Sequence, residues 1–181
     1  MTQLSDPYLI SPITENLSGS VTLPGSKSIA NRSILLAAMS QRSVMLHDML
    51  FSRDTEIMLK ALEVLGFETA IRKQERIVTV SGLGGKIPVK EASIDIGNSG
   101  TSARMITAFL CIQAGGIYHL DGDAPMRKRP IKGLLDALEN CGAAEVIYRG
   151  EPGFFPITLK TRGYPGGSIQ ADASASSQIL S

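Results

Sequence analysis

The 181-residue chain carries 18 Lys and Arg against 17 Asp and Glu, a net charge of +1, with 43% hydrophobic and 19% charged residues. That balance supports a packed core and excludes wholesale disorder. It also excludes a uniformly basic nucleic-acid-binding surface, so any anion site has to be local. Two cysteines, Cys111 and Cys141, stand at no metal-ligand spacing and make no disulfide framework, so buried thiols in a reducing compartment are expected. Met1 to Asn16 shows no basic start followed by an apolar run, and no apolar stretch is long enough to span a membrane. A cytoplasmic protein without metal or cofactor is the expectation.

Residues 1–19 are polar, with Pro7 and Pro12 around the short apolar run Tyr8-Leu9-Ile10. They read as a lead-in or as a strand belonging elsewhere. A repeat then begins. Its first unit is a strand at Val21–Leu23, a helix over 28–39, a strand at Ser43–Leu46 followed by Asp48, a helix from Asp54 to Leu65 stopped at Gly66, and strands at Phe67–Arg72 and Arg76–Ser81. Ile57, Ala61, Leu62 and Leu65 make one apolar face of the second helix.

The second unit repeats the order: a strand at Ser93–Ile96, a helix over Thr101–Gln113, a strand at Ile117–Leu120 followed by Asp121, a helix over Pro130–Cys141, and strands at Ala144–Tyr148 and Phe155–Lys160. Pro130 suits the first helical position. Ala61-Leu62-Glu63 and Gly66 match Ala137-Leu138-Glu139 and Gly142 at a constant spacing of 76 residues. The unit is therefore β-α-β-α-β-β. A third unit begins with a strand at Ser168–Ala171 and a helix opened by Ser174-Ala175-Ser176-Ser177-Gln178, and the chain stops at Ser181 inside it. The chain thus reads as the N-terminal part of a longer polypeptide.

The turn Leu23-Pro24-Gly25-Ser26-Lys27-Ser28 leads into a helix that carries Lys27 and Arg32 at its start. The helix macrodipole is already positive there and favours carboxylates, so cations together with free peptide N–H groups mark an anion site. The turn Gly97-Asn98-Ser99-Gly100 precedes a helix that carries Arg104, and Arg127-Lys128-Arg129 precede the last helix. One such helix start is chance; several in a repeat suggest a shared polyanionic ligand. Each feature also has a plainer reading: solvated basic turns, a tight Asn-Gly turn, and two strand-end histidines, His47 and His119, without partners at metal spacing. Gly25-Ser26-Lys27-Ser28 is not a phosphate-binding Walker loop, because Ser26 rather than glycine precedes Lys27.

Leu-Pro-Gly-Ser-Lys-Ser-x-x-Asn-Arg at 23–32 resembles the signature of the 5-enolpyruvylshikimate-3-phosphate synthase family. Gly97-Asn98-Ser99-Gly100-Thr101 with Arg104, Arg129-Pro130-Ile131, and Ser176-Ser177-Gln178 resemble its other motifs, in order. Lys27-Ser28 separates the chain from the sister family of UDP-N-acetylglucosamine enolpyruvyl transferases, which has Lys-Asn there. The resemblance implies an α/β fold of two domains, each an inside-out α/β barrel of three β-α-β-α-β-β units, with the active site between them. Residues 20–181 would be most of the N-terminal domain, with two complete units and the start of a third. Residues 1–19 would belong mostly to the other domain, and the C-terminal domain lies outside this chain.

The implied reaction moves the enolpyruvyl group of phosphoenolpyruvate to the 5-hydroxyl of shikimate 3-phosphate through a tetrahedral adduct, releasing phosphate. By similarity Lys27, Ser28, Arg32, Ser176, Ser177 and Gln178 bind shikimate 3-phosphate, while Lys27, Gly100 and Arg129 hold phosphoenolpyruvate. Asn98 and Thr101 line the same turn, Arg104 reaches the phosphate, and Lys27 acts electrostatically. The acid and base that move protons would come from the C-terminal domain, so the chain would be a half-site of a monomeric enzyme, inactive by itself, with no nucleic-acid or membrane partner. A non-catalytic phosphate- or sugar-phosphate-binding module is the alternative.

Met105 stands where the commonest glyphosate-sensitive form of the family has proline, while Gly100 is kept. The resemblance predicts that glyphosate competes with phosphoenolpyruvate in the complete enzyme. Gly100→Ala should then weaken inhibition far more than it changes turnover, and equal effects in inhibition kinetics would count against the assignment.

Overall fold

The structure is a computed structural model that describes residues 18–174 together with residues 9, 12–14, 16 and 179. Its elements run α1 (Lys27–Met39), β1 (Ser43–Leu46), α2 (Arg53–Val64), β2 (Thr69–Arg72), β3 (Ile77–Ser81), β4 (Glu91–Asp95), α3 (Gly100–Leu110), β5 (Ala114–Asp121), α4 (Lys132–Asn140), β6 (Ala144–Tyr148) and β7 (Ile157–Arg162), with a short 3-10 turn at Met126–Lys128. Ser26, Ser52 and Ser99 cap the first three helices with their hydroxyls, and Ser52 forms a reciprocal box with Thr55.

Two sheets form, one per unit. The first has the order β1-β3-β2, wholly antiparallel; the second is β4-β5-β7-β6, with β4 and β5 parallel and the remaining pairs antiparallel. The helices pack against these sheets and one another around a single core. Ile34 and Ala38 of α1, Met58 and Leu62 of α2, Val78 and Val80 of β3, Ile106 and Leu110 of α3, and Leu120 and Leu159 of the second sheet are all sealed from solvent or nearly so. The opposite flank of α1 leaves Ile29, Leu36 and Met39 exposed.

Three expectations need correction. Val21–Leu23 is not a strand; Val21 is 83% and Leu23 79% exposed. Its counterparts in the second unit, found by matching cap Ser26 to cap Ser99 and Asp48 to Asp121 at a spacing of 73 residues, are the buried Ile94 and Ile96. In the second unit the Ile96 N–H donates to the Asp121 carbonyl at 2.9 Å. In the first, Gly25 lies so close to the Asp48 carbonyl that a Cβ would stand 2.3 Å from its oxygen. The chain thus leaves the sheet before Leu23 can pair, and among the described residues β1 has a neighbour on one side only.

Pro130 is likewise not the first residue of a helix. Ile131 is non-helical (φ −127°, ψ 1°) and donates its N–H to Gly153, so α4 starts at Lys132. Ser168–Ala171 is exposed and pairs with no described strand. The helix expected from Ser174 falls on residues outside those described, beyond a turn at Ser174 itself.

Leu62 is fully enclosed between the helices and the first sheet. Leu62→Ala should lower unfolding free energy by about 2–5 kcal/mol, read from the midpoint of a urea titration. A loss below about 1 kcal/mol would mean that the core closes over the gap.

Candidate functional site

The helix starts that the sequence singles out are in contact. Lys27 opens α1, and its Nζ lies 2.9 Å from Oδ2 of Asp54 in the first turn of α2. The backbone carbonyl of Asp54 accepts a hydrogen bond from the Ser102 hydroxyl of α3 at 2.9 Å. Ser102 in turn accepts from the Ser99 hydroxyl at 2.7 Å and from Asn31 Nδ2 of α1 at 3.5 Å. No acidic residue lies in the first turn of α1, α3 or α4; Asp54 and Glu56 open α2 alone. The charge at the start of α1 is therefore partly answered from within the protein, by an acid on the next helix.

The turn before α3 joins the same group. Gly97 N–H donates to Asp95 Oδ1 at 2.8 Å, and Asp123 N–H donates to the Gly97 carbonyl at 3.0 Å. Arg129 Nη1 reaches the Asn98 carbonyl at 3.5 Å. Arg104, only 7% exposed, donates Nη1 to the Gly100 carbonyl at 3.0 Å and Nη2 to the Pro130 carbonyl at 2.8 Å. It straps the turn at Asn98–Gly100 to the loop that carries Arg129. Burial, and then the neighbouring Arg129 cation, push the Arg104 guanidinium below its ordinary range. Thr101 is buried beside it in the first turn of α3.

The structure thus gathers Lys27, Asn98, Gly100, Thr101, Arg104 and Arg129 around the first turns of three helices. Ser28 is exposed at the start of α1, and its carbonyl accepts from Arg32 Nη1 at 3.2 Å. Arg32 also lines an apolar hollow of about 280 Å³ between α1 and α3, with Leu36, Met39, Met105, Phe109 and Ile112. Ser176, Ser177 and Gln178 lie outside the described residues. His47 is exposed, and His119, inside β5, has Nδ1 2.9 Å from Thr158 Oγ1. Among the described residues no group of His, Cys, Asp or Glu is arranged to hold a metal, and no helix is long and apolar enough to cross a membrane. Cys141 is half-buried, against expectation, because it ends α4 at the surface side; Cys111 is buried, and burial pushes its thiol up to about 12.

Asp54, Ser102 and Asn31 link these helix starts, and sequence reasoning missed them as a group. Asp54 was visible only as a favourable acid at a helix start, and nothing in a linear pattern pairs it with a lysine two elements earlier. The acid-base pairs that hold the Arg129 loop were equally hidden. Arg127 grips Asp121 with Nε and Nη2 at 2.8 and 2.5 Å, and Arg53 meets Asp123 at 3.2 Å.

The family model described as EPSP synthase (3-phosphoshikimate 1-carboxyvinyltransferase) matches residues 12–181. A curated relative from Opitutus terrae, called 3-phosphoshikimate 1-carboxyvinyltransferase, is 44% identical over 180 residues, which are 98% of this chain and 41% of the relative. One of the same description from Cellvibrio japonicus is 45% identical over 163 residues, 90% of this chain and 37% of the relative. The solved EPSP synthase from Acinetobacter baumannii aligns with a TM-score of 0.76 at 32% identity, over 89% of this chain and 36% of that one. The enolpyruvyl transferase NikO from Streptomyces tendae shares the fold, with a TM-score of 0.53 at 17% identity, over 82% of this chain and 31% of that one. The chain spans about two fifths of the length of the curated relatives it matches.

The Arg127 hydrogen bonds hold the Asp121 carboxyl below its ordinary range. A lowered acid stabilises the fold fully above the unfolded pKa of about 3.9, and the contribution disappears as pH falls through the lower folded value. Asp121→Asn should therefore melt below wild type at pH 6, with the gap in thermal midpoint narrowing as pH falls below the ordinary carboxylate range of about 4. A gap independent of pH would show that the carboxylate charge is not what matters.

Proposed function

The chain belongs to the EPSP synthase family, and on that premise we propose that it forms the shikimate 3-phosphate and phosphoenolpyruvate half of the active site of a 3-phosphoshikimate 1-carboxyvinyltransferase. The observation that carries this reading is the unbroken run of contacts from Lys27 through Asp54 and Ser102 to the turn at Asn98–Gly100, and on to Arg129. Two phosphorylated substrates with close anionic groups need cations and undirected peptide N–H groups at fixed positions. That run joins two cations, Lys27 and Arg129, to the starts of α1 and α3.

In this reading Lys27, Ser28 and Arg32, completed by Ser176, Ser177 and Gln178, bind shikimate 3-phosphate. Lys27, Gly100 and Arg129 hold phosphoenolpyruvate, Asn98 and Thr101 shape the turn, and Arg104 adds its charge beneath the phosphate. The 5-hydroxyl oxygen adds to the enol carbon of phosphoenolpyruvate and gives its proton to the base, as the methylene carbon takes a proton from the acid and becomes a methyl group. The tetrahedral adduct then loses phosphate and one methyl proton, and the enolpyruvyl ether remains. Charge builds on the phosphate as it leaves, and Lys27 and Arg129 stabilise it there. The acid and base come from the part of the enzyme that this chain does not span. Residues 20–181 are then most of the N-terminal domain, residues 1–19 belong mostly to its partner domain, and the whole enzyme works as a cytoplasmic monomer.

The alternative is a phosphate- or sugar-phosphate-binding module without catalysis. Calorimetry tests both. Shikimate 3-phosphate titrated into the chain should bind, and Arg32→Ala should weaken it roughly tenfold to a hundredfold, the scale of a charge-assisted hydrogen bond of about 1.5–3 kcal/mol. Equal affinity in the two proteins would overturn the site. Turnover should be undetectable with the chain alone and should appear when the remaining sequence of an EPSP synthase is added in trans; if binding holds but that addition restores nothing, the second reading stands.

A further inference from the structure

We propose that Ser102 is a positioning residue for Lys27, acting through Asp54 to set the ammonium against the peptide groups of the Gly100 turn. The inference rests on the reading of Lys27 as a substrate contact and adds a residue that no motif marks. Ser102 is fully buried in the first turn of α3. A hydroxyl has one donor and two acceptor positions, and all three are engaged here by different partners. It donates to the Asp54 carbonyl at 2.9 Å and accepts from the Ser99 hydroxyl at 2.7 Å and from Asn31 Nδ2 at 3.5 Å. Those partners belong to the first turn of α2, the cap of α3 and the body of α1. A single oxygen therefore ties the starts of α2 and α3 to the body of α1.

Each tie has a consequence at the site. Asp54, held at its backbone by Ser102, holds Lys27 Nζ at 2.9 Å with its carboxylate. Ser99, held at its hydroxyl, also caps α3 by accepting the Ser102 N–H at 3.2 Å and so fixes Gly100, the next residue. Lys27 and the Gly100 turn must grip the same phosphate from two helices. Misplacing one against the other by about an ångström costs up to a hundredfold in a positioned site. Buried hydroxyls whose capacity is filled hold such geometry, because loss of the oxygen strands several buried partners together.

The test uses the chain with its lysines reductively methylated with carbon-13, the Lys27 resonance being identified by its disappearance in Lys27→Arg. Without any substrate, Ser102→Ala and Asp54→Asn should move the Lys27 resonance in the same direction, and the double variant should move it no further. Ser102→Cys fills the site with a somewhat larger, weakly hydrogen-bonding thiol and should move the Lys27 resonance as Ser102→Ala does, so that a shift common to the smaller and the larger side chain is assigned to the lost hydrogen bonds, and it serves if the alanine variant does not fold. Affinity for shikimate 3-phosphate should fall about tenfold in either variant. A Lys27 resonance that stays at its wild-type position in a folded Ser102 variant, or shifts that add in the double variant, would overturn the proposal. If the unaltered chain binds no shikimate 3-phosphate, the functional reading falls, while the Lys27 resonance still decides whether Ser102 acts on the lysine.

Discussion

A lysine at the first position of an α-helix faces peptide dipoles of its own sign. Lys27 holds that position because Asp54 stands 2.9 Å from its ammonium in the first turn of the neighbouring helix. Asp54 is where a helix start favours an acid, and Lys27 is where it does not, so the pair settles two helix ends at once. The lysine side chain is still 48% exposed. Solvent screens such a pair to a modest energy, and its importance lies in direction: it aims the ammonium. In the proposed reading, a phosphate arriving beside it would share a cation already oriented.

The two units place different chemistry on one plan. Five residues after each cap, counting from Ser26 and from Ser99, stand Asn31 and Arg104, both buried. Each reaches away from its own helix to the start of another: Asn31 to Ser102 on α3, Arg104 to the Pro130 carbonyl just before α4. The same slot therefore serves as a cross-tie in both units, first as a neutral amide and then as a cation. The first unit contributes exposed charge, with Lys27 and Arg32. The second contributes a glycine-bearing turn whose backbone is pinned by Asp95 and Asp123. Duplication explains why these groups share one face, and divergence at a few positions explains why they are not redundant.

Order and type of elements were legible wherever a residue pattern decides them locally. The apolar faces of α2 and α4, the glycines that stop them at Gly66 and Gly142, and the alternation through Ile77–Ser81 all led to the observed elements. Val21–Leu23 failed because alternation describes a segment that suits a sheet, while a strand needs a neighbour. Gly25, read as a simple stop, is small because the Asp48 carbonyl lies against it. Pro130 was read from a helical preference, yet Ile131 is committed to Gly153 across the loop. At the site, the cations were visible as charges of the wrong sign at helix starts. Their partners were not, since Asp54, Ser102 and Asn31 meet only once three helices have packed.

Among the described residues, one flank of β1 has no neighbouring strand. Four residues, Ser43–Leu46, turn a row of amide donors and acceptors outward beside the half-exposed Met45. Such a row is a template for any extended peptide that comes within reach, and Val21 and Leu23 stand exposed in the segment before α1. A strand that paired there would complete the first sheet and cover the half-exposed Met45 in the same step.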